Sequence, residues 1–157
     1  MYKTVVFDLD GTLLNTLTDL ADAGNRLCRK YGWPTHERQA YRYFVGNGIP
    51  KLVERLAPAD QRTPAVLEAA LADFKRDYGQ HLRDTTAPYP GIPEMLAKLK
   101  ANGVQLAVFS NKADALAKEV VKDYFGTQYF TIVRGQMTGV APKPCLLYTS
   151  PSPRDQR

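Results

Sequence analysis

The first residues of the chain combine an apolar strand with two closely spaced acids. A β-branched, apolar run ends in Asp8 and Asp10, and Gly11 and Thr12 follow. Side chains alternate along a strand, so the two acids start on one face where the strand ends. Carboxylates at the end of a buried strand are costly unless they bind something, and a hard cation such as Mg²⁺ prefers their oxygens. Because Gly11 can turn the backbone sharply, the pattern predicts a catalytic loop.

Helices and apolar strands alternate along much of the chain. The pattern predicts strands at about residues 3–8, 104–109 and 129–133, and helices over 92–101 and 113–124. This alternation favours an α/β fold with a Rossmann-like, doubly wound parallel sheet. Such sheets bind ligands at the carboxyl ends of their strands. Asp8, Asp10 and Ser110 each fall at a predicted strand end, so we expect them to meet at one edge of the sheet.

Helical periodicity predominates between the first strand and the rest of the sheet. We expect a helix over residues 16–31, short helices at 41–44 and 52–56, and a longer helix that begins at Thr63-Pro64. The sequence therefore predicts an α-helical cap over residues 16–84, inserted into a core formed by residues 1–15 and 85–144.

Charge and cysteine usage restrict the partners and the compartment. Lys and Arg, with a net charge of +5, are scattered among Asp and Glu, which indicates a solvated surface and no nucleic-acid-binding stripe. Such a surface would not repel a phosphorylated anion. Two distant cysteines, Cys28 and Cys145, predict no disulfide and a reducing environment. With no signal peptide and no membrane-spanning apolar run, we expect a cytoplasmic protein. The oligomeric state has no signal in the sequence.

Three segments resemble the motifs of one enzyme family. The string FDLDGTLLNT at residues 7–16 resembles the first motif of the haloacid dehalogenase-like (HAD) phosphohydrolases. Residues 90–112 resemble the second motif, and Lys143 in VAPKP resembles the third. The segment RYFVGNGIPKLVERL at residues 42–56 resembles the caps of phosphoglycolate phosphatase-like members. The resemblance covers about residues 1–144.

This resemblance implies hydrolysis of a phosphomonoester in two steps. Asp8 would be the nucleophile that forms an aspartyl-phosphate. Asp10 would protonate the leaving alcohol and then deprotonate the attacking water. Asp8 and the backbone carbonyl of Asp10 would hold Mg²⁺. The residues that would bind the substrate phosphate are Ser110, Asn111, Lys143, Gly11 and Thr12.

The predicted cap would choose the substrate. Asn47 and Lys51 are its candidate substrate contacts, and the VGNG segment makes 2-phosphoglycolate the first candidate. A phosphosugar mutase such as a β-phosphoglucomutase would share Asp8 and Asp10 and remains an alternative. A non-catalytic fragment or binding module is a second alternative. A dehalogenase is disfavoured because that branch of the family lacks the second aspartate.

Each candidate site residue also has a purely structural interpretation. Asp8 and Asp10 could be turn or cap residues before the helix at residue 16. Ser110-Asn111 could cap the helix predicted over residues 113–124. Lysines such as Lys143 and Lys51 are usually solvated surface residues.

The composition changes abruptly after residue 144. Residues 145–157 are rich in Ser and Pro and contain one acid, Asp155, whereas the resemblance implies a fourth, acidic motif. We therefore expect a foreign, disordered tail and a C-terminally truncated chain. Such a chain would leave Thr4–Phe7 as an unpaired apolar edge and would hold Mg²⁺ weakly. We expect this truncated chain to be poorly soluble and to have little or no activity.

Overall fold

The computed structural model describes residues 3–137 and residue 139. Its strands are β1 (Thr4–Phe7), β2 (Leu14–Asn15), β3 (Ala87–Pro88), β4 (Gln105–Ala113) and β5 (Phe130–Gln136). Its helices are α1 (Leu17–Tyr31), α2 (Tyr41–Phe44), α3 (Ile49–Leu56), α4 (Pro64–Gln80), α5 (Ile92–Ala101) and α6 (Asp114–Phe125). Short 3-10 helices lie at Arg38–Ala40 and Ala59–Gln61. Lys143 and the predicted tail over residues 145–157 lie outside the described residues.

The chain divides into two compact units. Among the described residues, the sheet unit contains residues 3–9, 90–137 and 139, and the helical unit runs from Asp10 to Tyr89. The helical unit contains α1 to α4 and the antiparallel pair of β2 with β3. The predicted boundaries of core, cap and tail stay a prediction. Within the described residues, no helix has the length and apolarity that crossing a membrane requires.

The sheet unit confirms the predicted α/β fold with a parallel sheet. Its strand order is β1-β4-β5, and both neighbouring pairs are parallel. The central strand β4 is buried from Leu106 to Ser110, as expected for a strand covered on both faces. Helix α6 connects β4 to β5, and Phe125 at its end packs edge-on against Phe130. Within the described residues β1 pairs with β4 alone, and Val6 is 46% exposed.

Strand β4 is longer and less regular than the sequence predicts. The expected strand ends at residue 109, whereas β4 continues to Ala113. Phe109 lies opposite Arg134 and Ala113 lies opposite Gln136, so residues 110–112 face one residue of β5, Gly135. Two additional residues on one strand form a bulge, a feature that re-aims side chains and is common beside active sites. Regular pairing therefore ends at the predicted position, although the strand does not.

Gly135 and Asp114 support this bulge. A Cβ atom on Gly135 would collide with the carbonyl oxygen of Lys112 and lie 2.6 Å from the Cα of Asp114. The Gly135 N–H donates to Asp114 Oδ1 at 2.8 Å, and Lys118 pairs with the other carboxylate oxygen at 2.8 Å. The Gly135 N–H and the Lys118 ammonium hold the pKa of Asp114 below its usual value. Only glycine permits strand β5 to approach the bulge this closely.

Local signals fix the ends of the helices in the helical unit. Helix α1 ends at Gly32, whose φ of 70° is left-handed, and the Trp33 N–H donates to the Cys28 carbonyl at 2.8 Å. Helix α4 begins after Thr63, whose hydroxyl accepts from the Val66 N–H at 3.4 Å. Both boundaries confirm the sequence prediction.

Helices α1 and α4 pack through apolar residues that the periodicity predicted. Leu20, Ala21, Ala23 and Leu27 of α1 are buried, as are Ala70, Phe74 and Tyr78 of α4. The rings of Phe74 and Tyr78 stack with centroids 5.6 Å apart. Outside this core, a bidentate contact of Arg26 with Asp77 and the pair of Lys30 with Asp73 join the two helices. The Tyr31 hydroxyl donates to Asp73 at 2.6 Å, which raises the pKa of Tyr31 to about 12.

A buried carboxylate joins the first turn of α1 to the chain before β3. Asp19 is 2% exposed and accepts from the N–H and hydroxyl groups of both Thr85 and Thr86, at 2.6 to 3.0 Å. Burial by itself raises the pKa of Asp19, but these hydrogen bonds outweigh it, so the pKa lies below its usual value. The α1 dipole also favours an anion here. The network holds two segments in place that lie 66 residues apart.

We predict that Asp19→Asn destabilises the chain by about 3 kcal/mol at pH 7, because buried donors lose a charged acceptor. The folded pKa is lower than the unfolded value, so the carboxylate stabilises the fold fully above about pH 3.9 and progressively less as the pH falls through the folded pKa. Urea unfolding at pH 7 and at pH 3.5 measures this dependence. Between these two pH values, the free energy of unfolding should fall less in Asp19→Asn than in the wild type.

The exposed Asp22 of the same helix provides the matched control. Asp22→Asn should change the unfolding free energy by less than about 0.5 kcal/mol. An identical pH dependence in the wild type and Asp19→Asn would contradict the assigned role of Asp19.

We predict that Gly135→Ala destabilises the chain by about 1–3 kcal/mol, because the added methyl meets backbone atoms of the bulge that cannot move aside. Gly79→Ala in α4 is the control, since no atom lies within 4 Å of its added Cβ. That change should be neutral or stabilise by up to about 1 kcal/mol. Urea unfolding of both variants measures the difference, and equal effects would show that the close approach at Gly135 has no energetic cost.

Candidate active site

The first predicted site residue lies exposed at the end of β1, directly before a buried leucine. Asp8 directly follows the last residue of β1 and is exposed, whereas Leu9 is fully buried. The Leu9 N–H donates to Asp8 Oδ1 at 2.8 Å, which orients the carboxylate against its own backbone. An exposed carboxylate oriented in this way is accessible to a substrate.

The sheet register brings Ser110 and Asn111 to the same edge as Asp8. Phe7 lies opposite Val108, so Asp8 is level with Phe109, and the bulge follows directly. Ser110 is 1% exposed, and its hydroxyl accepts from the Lys112 N–H at 3.1 Å. Asn111 is partly exposed. The sequence prediction that Asp8 and Ser110 share one edge of a parallel sheet therefore agrees with the observed pairing.

The structure contradicts the helix-capping alternatives for these residues, whereas the turn alternative for Asp8 and Asp10 stays open. Helix α6 begins at Asp114 after Ala113, which makes no side-chain capping bond, so Ser110-Asn111 does not cap it. Helix α1 begins at Leu17, and its capping position is Thr16. Neither Asp8 nor Asp10 is therefore a helix cap. Helix capping therefore does not explain why these two acids follow β1.

The loop after Asp8 turns sharply at the predicted glycine. Asp10 is partly buried, and Gly11 has a φ of 77°. The Gly11 N–H donates to the Leu14 carbonyl at 2.9 Å, and Asp10 and Leu14 form an isolated backbone β-bridge. Thr12 is exposed at the tip of this turn. The tight turn confirms the predicted conformation of Gly11. A role of Gly11 and Thr12 in binding phosphate stays a prediction.

The two candidate contacts in the helical unit are exposed. Asn47 lies in the turn between α2 and α3. Lys51 lies in α3 and pairs with Glu54 at 3.2 Å. This pairing is the solvated state expected of a surface lysine, and a role in substrate contact stays a prediction for both residues.

The carboxylate at the end of β1 fits a magnesium site in which the substrate phosphate is one of the ligands. Within the described residues, no group of three or more His, Cys, Asp or Glu side chains could hold a metal. Mg²⁺ is commonly bound through one or two carboxylates, with waters and substrate phosphate completing its shell. The exposed carboxylate of Asp8 fits this smaller requirement, and the carbonyl of Asp10 as a second ligand stays a prediction. His81, by contrast, pairs with Asp84, and His36 packs against the rings of Tyr41 and Phe44.

Sequence reasoning missed the residues that shape the bulge. Asp114 and Gly135 hold its backbone, and Lys112 within it is only 5% exposed. The one sequence signal was Lys112 itself, which comes two residues after Ser110, the candidate phosphate ligand at the end of an apolar strand. A glycine that a neighbouring strand requires gives no such local signal.

Comparison with known proteins identifies the family. The family model for haloacid dehalogenase-like hydrolases matches residues 5–147. A phosphoglycolate phosphatase of Thiobacillus denitrificans is 33% identical over 145 residues, which cover 90% of this chain and 64% of that protein. A phosphoglycolate phosphatase of Nitrosospira multiformis is 36% identical over 134 residues, covering 83% and 59%. The chain thus spans less than two thirds of the length of these two relatives.

The fold agrees with that of a solved relative. A crystal structure from Haemophilus somnus, described as a predicted phosphoglycolate phosphatase, matches with a TM-score of 0.80 and 28% identity over 91% of this chain and 66% of that one. With its motif, its fold and its family model in agreement, the chain belongs to the haloacid dehalogenase-like hydrolases.

Proposed function

We propose that the chain carries the nucleophile and part of the phosphate site of a phosphomonoester hydrolase for a small metabolite, with 2-phosphoglycolate as the first candidate substrate. One observation carries the proposal above the others. The parallel register sets the exposed Asp8 level with the end of regular pairing in β4, directly before Ser110. The similarity to two phosphoglycolate phosphatases supports the choice of substrate.

In the first proposed step, a carboxylate oxygen of Asp8 attacks phosphorus. The bond from phosphorus to the alcohol oxygen breaks, and Asp10 gives its proton to that oxygen, which leaves as the alcohol. In the second step, Asp10 accepts a proton from water as the water oxygen attacks the aspartyl-phosphate. The acyl-phosphate bond then breaks, and inorganic phosphate leaves with Asp8 restored as a carboxylate.

The remaining candidate residues bind and orient the phosphate in this proposal. The Ser110 and Thr12 hydroxyls, the Asn111 amide and the Gly11 N–H are donors to phosphoryl oxygens. Lys143, which lies outside the described residues, contributes positive charge. Asn47 and Lys51 are proposed contacts for the rest of the substrate, and Lys51 would exchange Glu54 for the substrate anion.

Asp8 and the carbonyl of Asp10 are the proposed ligands of Mg²⁺. When bound, the cation reduces repulsion between the nucleophile and the substrate phosphate. Because no further acid of the described residues joins these two donors in a metal-binding group, we expect weak Mg²⁺ binding and slow turnover by this chain.

We predict that Asp8→Asn lowers phosphate release from 2-phosphoglycolate by at least about 1,000-fold, since the amide cannot act as the nucleophile. A colorimetric phosphate assay with MgCl₂ measures release by the wild type and the variant. Asp22→Asn makes the same chemical change at an exposed position of α1 and should retain full release. Full activity of Asp8→Asn would refute the assigned nucleophile. No release by the wild type from 2-phosphoglycolate or p-nitrophenyl phosphate would refute hydrolysis by this chain.

A further inference from the structure

A groove between α1 and α4 combines an apolar surface with charged side chains that the proposed chemistry does not use. Its volume is about 220 Å³, which is smaller than the pockets that hold drug-sized ligands. The buried side chains of Leu27 and Phe74 form its apolar part. The polar residues that line it are Arg26, Lys30, Asp73, Arg76, Asp77 and Gln80. This α1–α4 groove lies entirely within the helical unit and has room for a compact ligand.

The charges that line the α1–α4 groove do not cancel. Among the described residues, three cations and two carboxylates line it, which leaves a net charge of +1. Arg26 contacts both carboxylate oxygens of Asp77, at 2.8 to 3.2 Å. Lys30 and Arg76 both pair with Asp73, at 3.1 and 3.2 Å. The surplus positive charge therefore lies where two cations share one carboxylate.

The two cations that share Asp73 are able to bind a second anion. The side chains of Lys30 and Arg76 are 60% and 69% exposed. Ion pairs this exposed contribute little to stability, because water competes for both partners. An ammonium has three N–H donors and a guanidinium has five, so one contact to Asp73 leaves donors on both cations. An anion in the groove can therefore join or replace Asp73 at a small cost.

We propose that the α1–α4 groove binds a small organic dianion, through a carboxylate or phosphate group that pairs with Lys30 and Arg76. Two negative charges match these two cations, and the planar guanidinium of Arg76 suits either head group. The carbon atoms of the ligand lie against Leu27 and Phe74, which removes apolar surface from water. This site lies within the helical unit and does not depend on the proposed hydrolysis.

Isothermal titration calorimetry with succinate and with glycerol 1-phosphate tests the site and distinguishes the two head groups. The titrations contain EDTA and no Mg²⁺, so that the phosphate ester is not hydrolysed. We expect the wild type to bind at least one probe with a Kd of about 10 mM or tighter. That Kd should rise at least about fivefold in Lys30→Gln and in Arg76→Gln. Lys75→Gln removes an exposed charge of α4 outside the groove and should change Kd by less than about twofold.

A substitution of opposite effect gives a second test of the same site. Asp73→Asn removes the carboxylate that competes for the two cations, so Kd should fall at least about threefold. Asp60→Asn makes the same chemical change at an exposed position outside the groove and should change Kd by less than about twofold. If Asp73→Asn does not fold, as judged by circular dichroism, Asp73→Ser replaces it.

Three results would overturn the proposal. The first is that the wild type binds neither probe. The second is that folded Lys30→Gln and Arg76→Gln variants bind as tightly as the wild type, which would place the anion elsewhere on the chain. The third is that removal of the Asp73 carboxylate weakens binding, which would identify its ion pairs as a structural contact and not as a site that a ligand enters.

Discussion

Four residue pairs join β1 to β4 in parallel, from Thr4 opposite Gln105 to Phe7 opposite Val108. Parallel pairing aligns the carboxyl ends of both strands, so polar residues that follow each strand lie at a common edge. The candidate chemistry depends on this register, because a shift of one residue would turn alternate side chains to the opposite face. Asp8 reaches the edge on one strand, and Ser110 begins the irregular part of the other.

The bulge in β4 converts this edge into a candidate anion site. A regular strand would send successive side chains to opposite faces, whereas the bulge changes the direction of residues 110–112 without ending the strand. The conformation is stabilised from outside the bulge, by Gly135 and by the Asp114 carboxylate. Donors at the site are therefore held by β5 and α6, elements that contribute no candidate ligand of their own among the described residues.

The helical unit is held together by a different combination of forces. Apolar residues of α1 and α4 form its core, and the charge pairs between these helices are partly exposed and contribute little each. Its most buried charge, Asp19, acts near the segments where the chain enters and leaves the unit. There the β2–β3 pair and the donors of Thr85 and Thr86 hold the two segments together. Satisfying a buried carboxylate with four donor groups gives this junction a defined geometry.

The sequence by itself determined the α/β class, the acids after β1, and helix ends such as Gly32 and Thr63, because each depends on residues adjacent in the chain. It did not determine the extension of β4 to residue 113, the burial of Lys112 or the partner of Asp19. These features depend on contacts between residues distant in the chain: Gly135 must approach the bulge, and Thr85 must reach a helix 66 residues earlier. Local secondary-structure propensity does not encode contacts between distant residues, so only the tertiary structure decided these features.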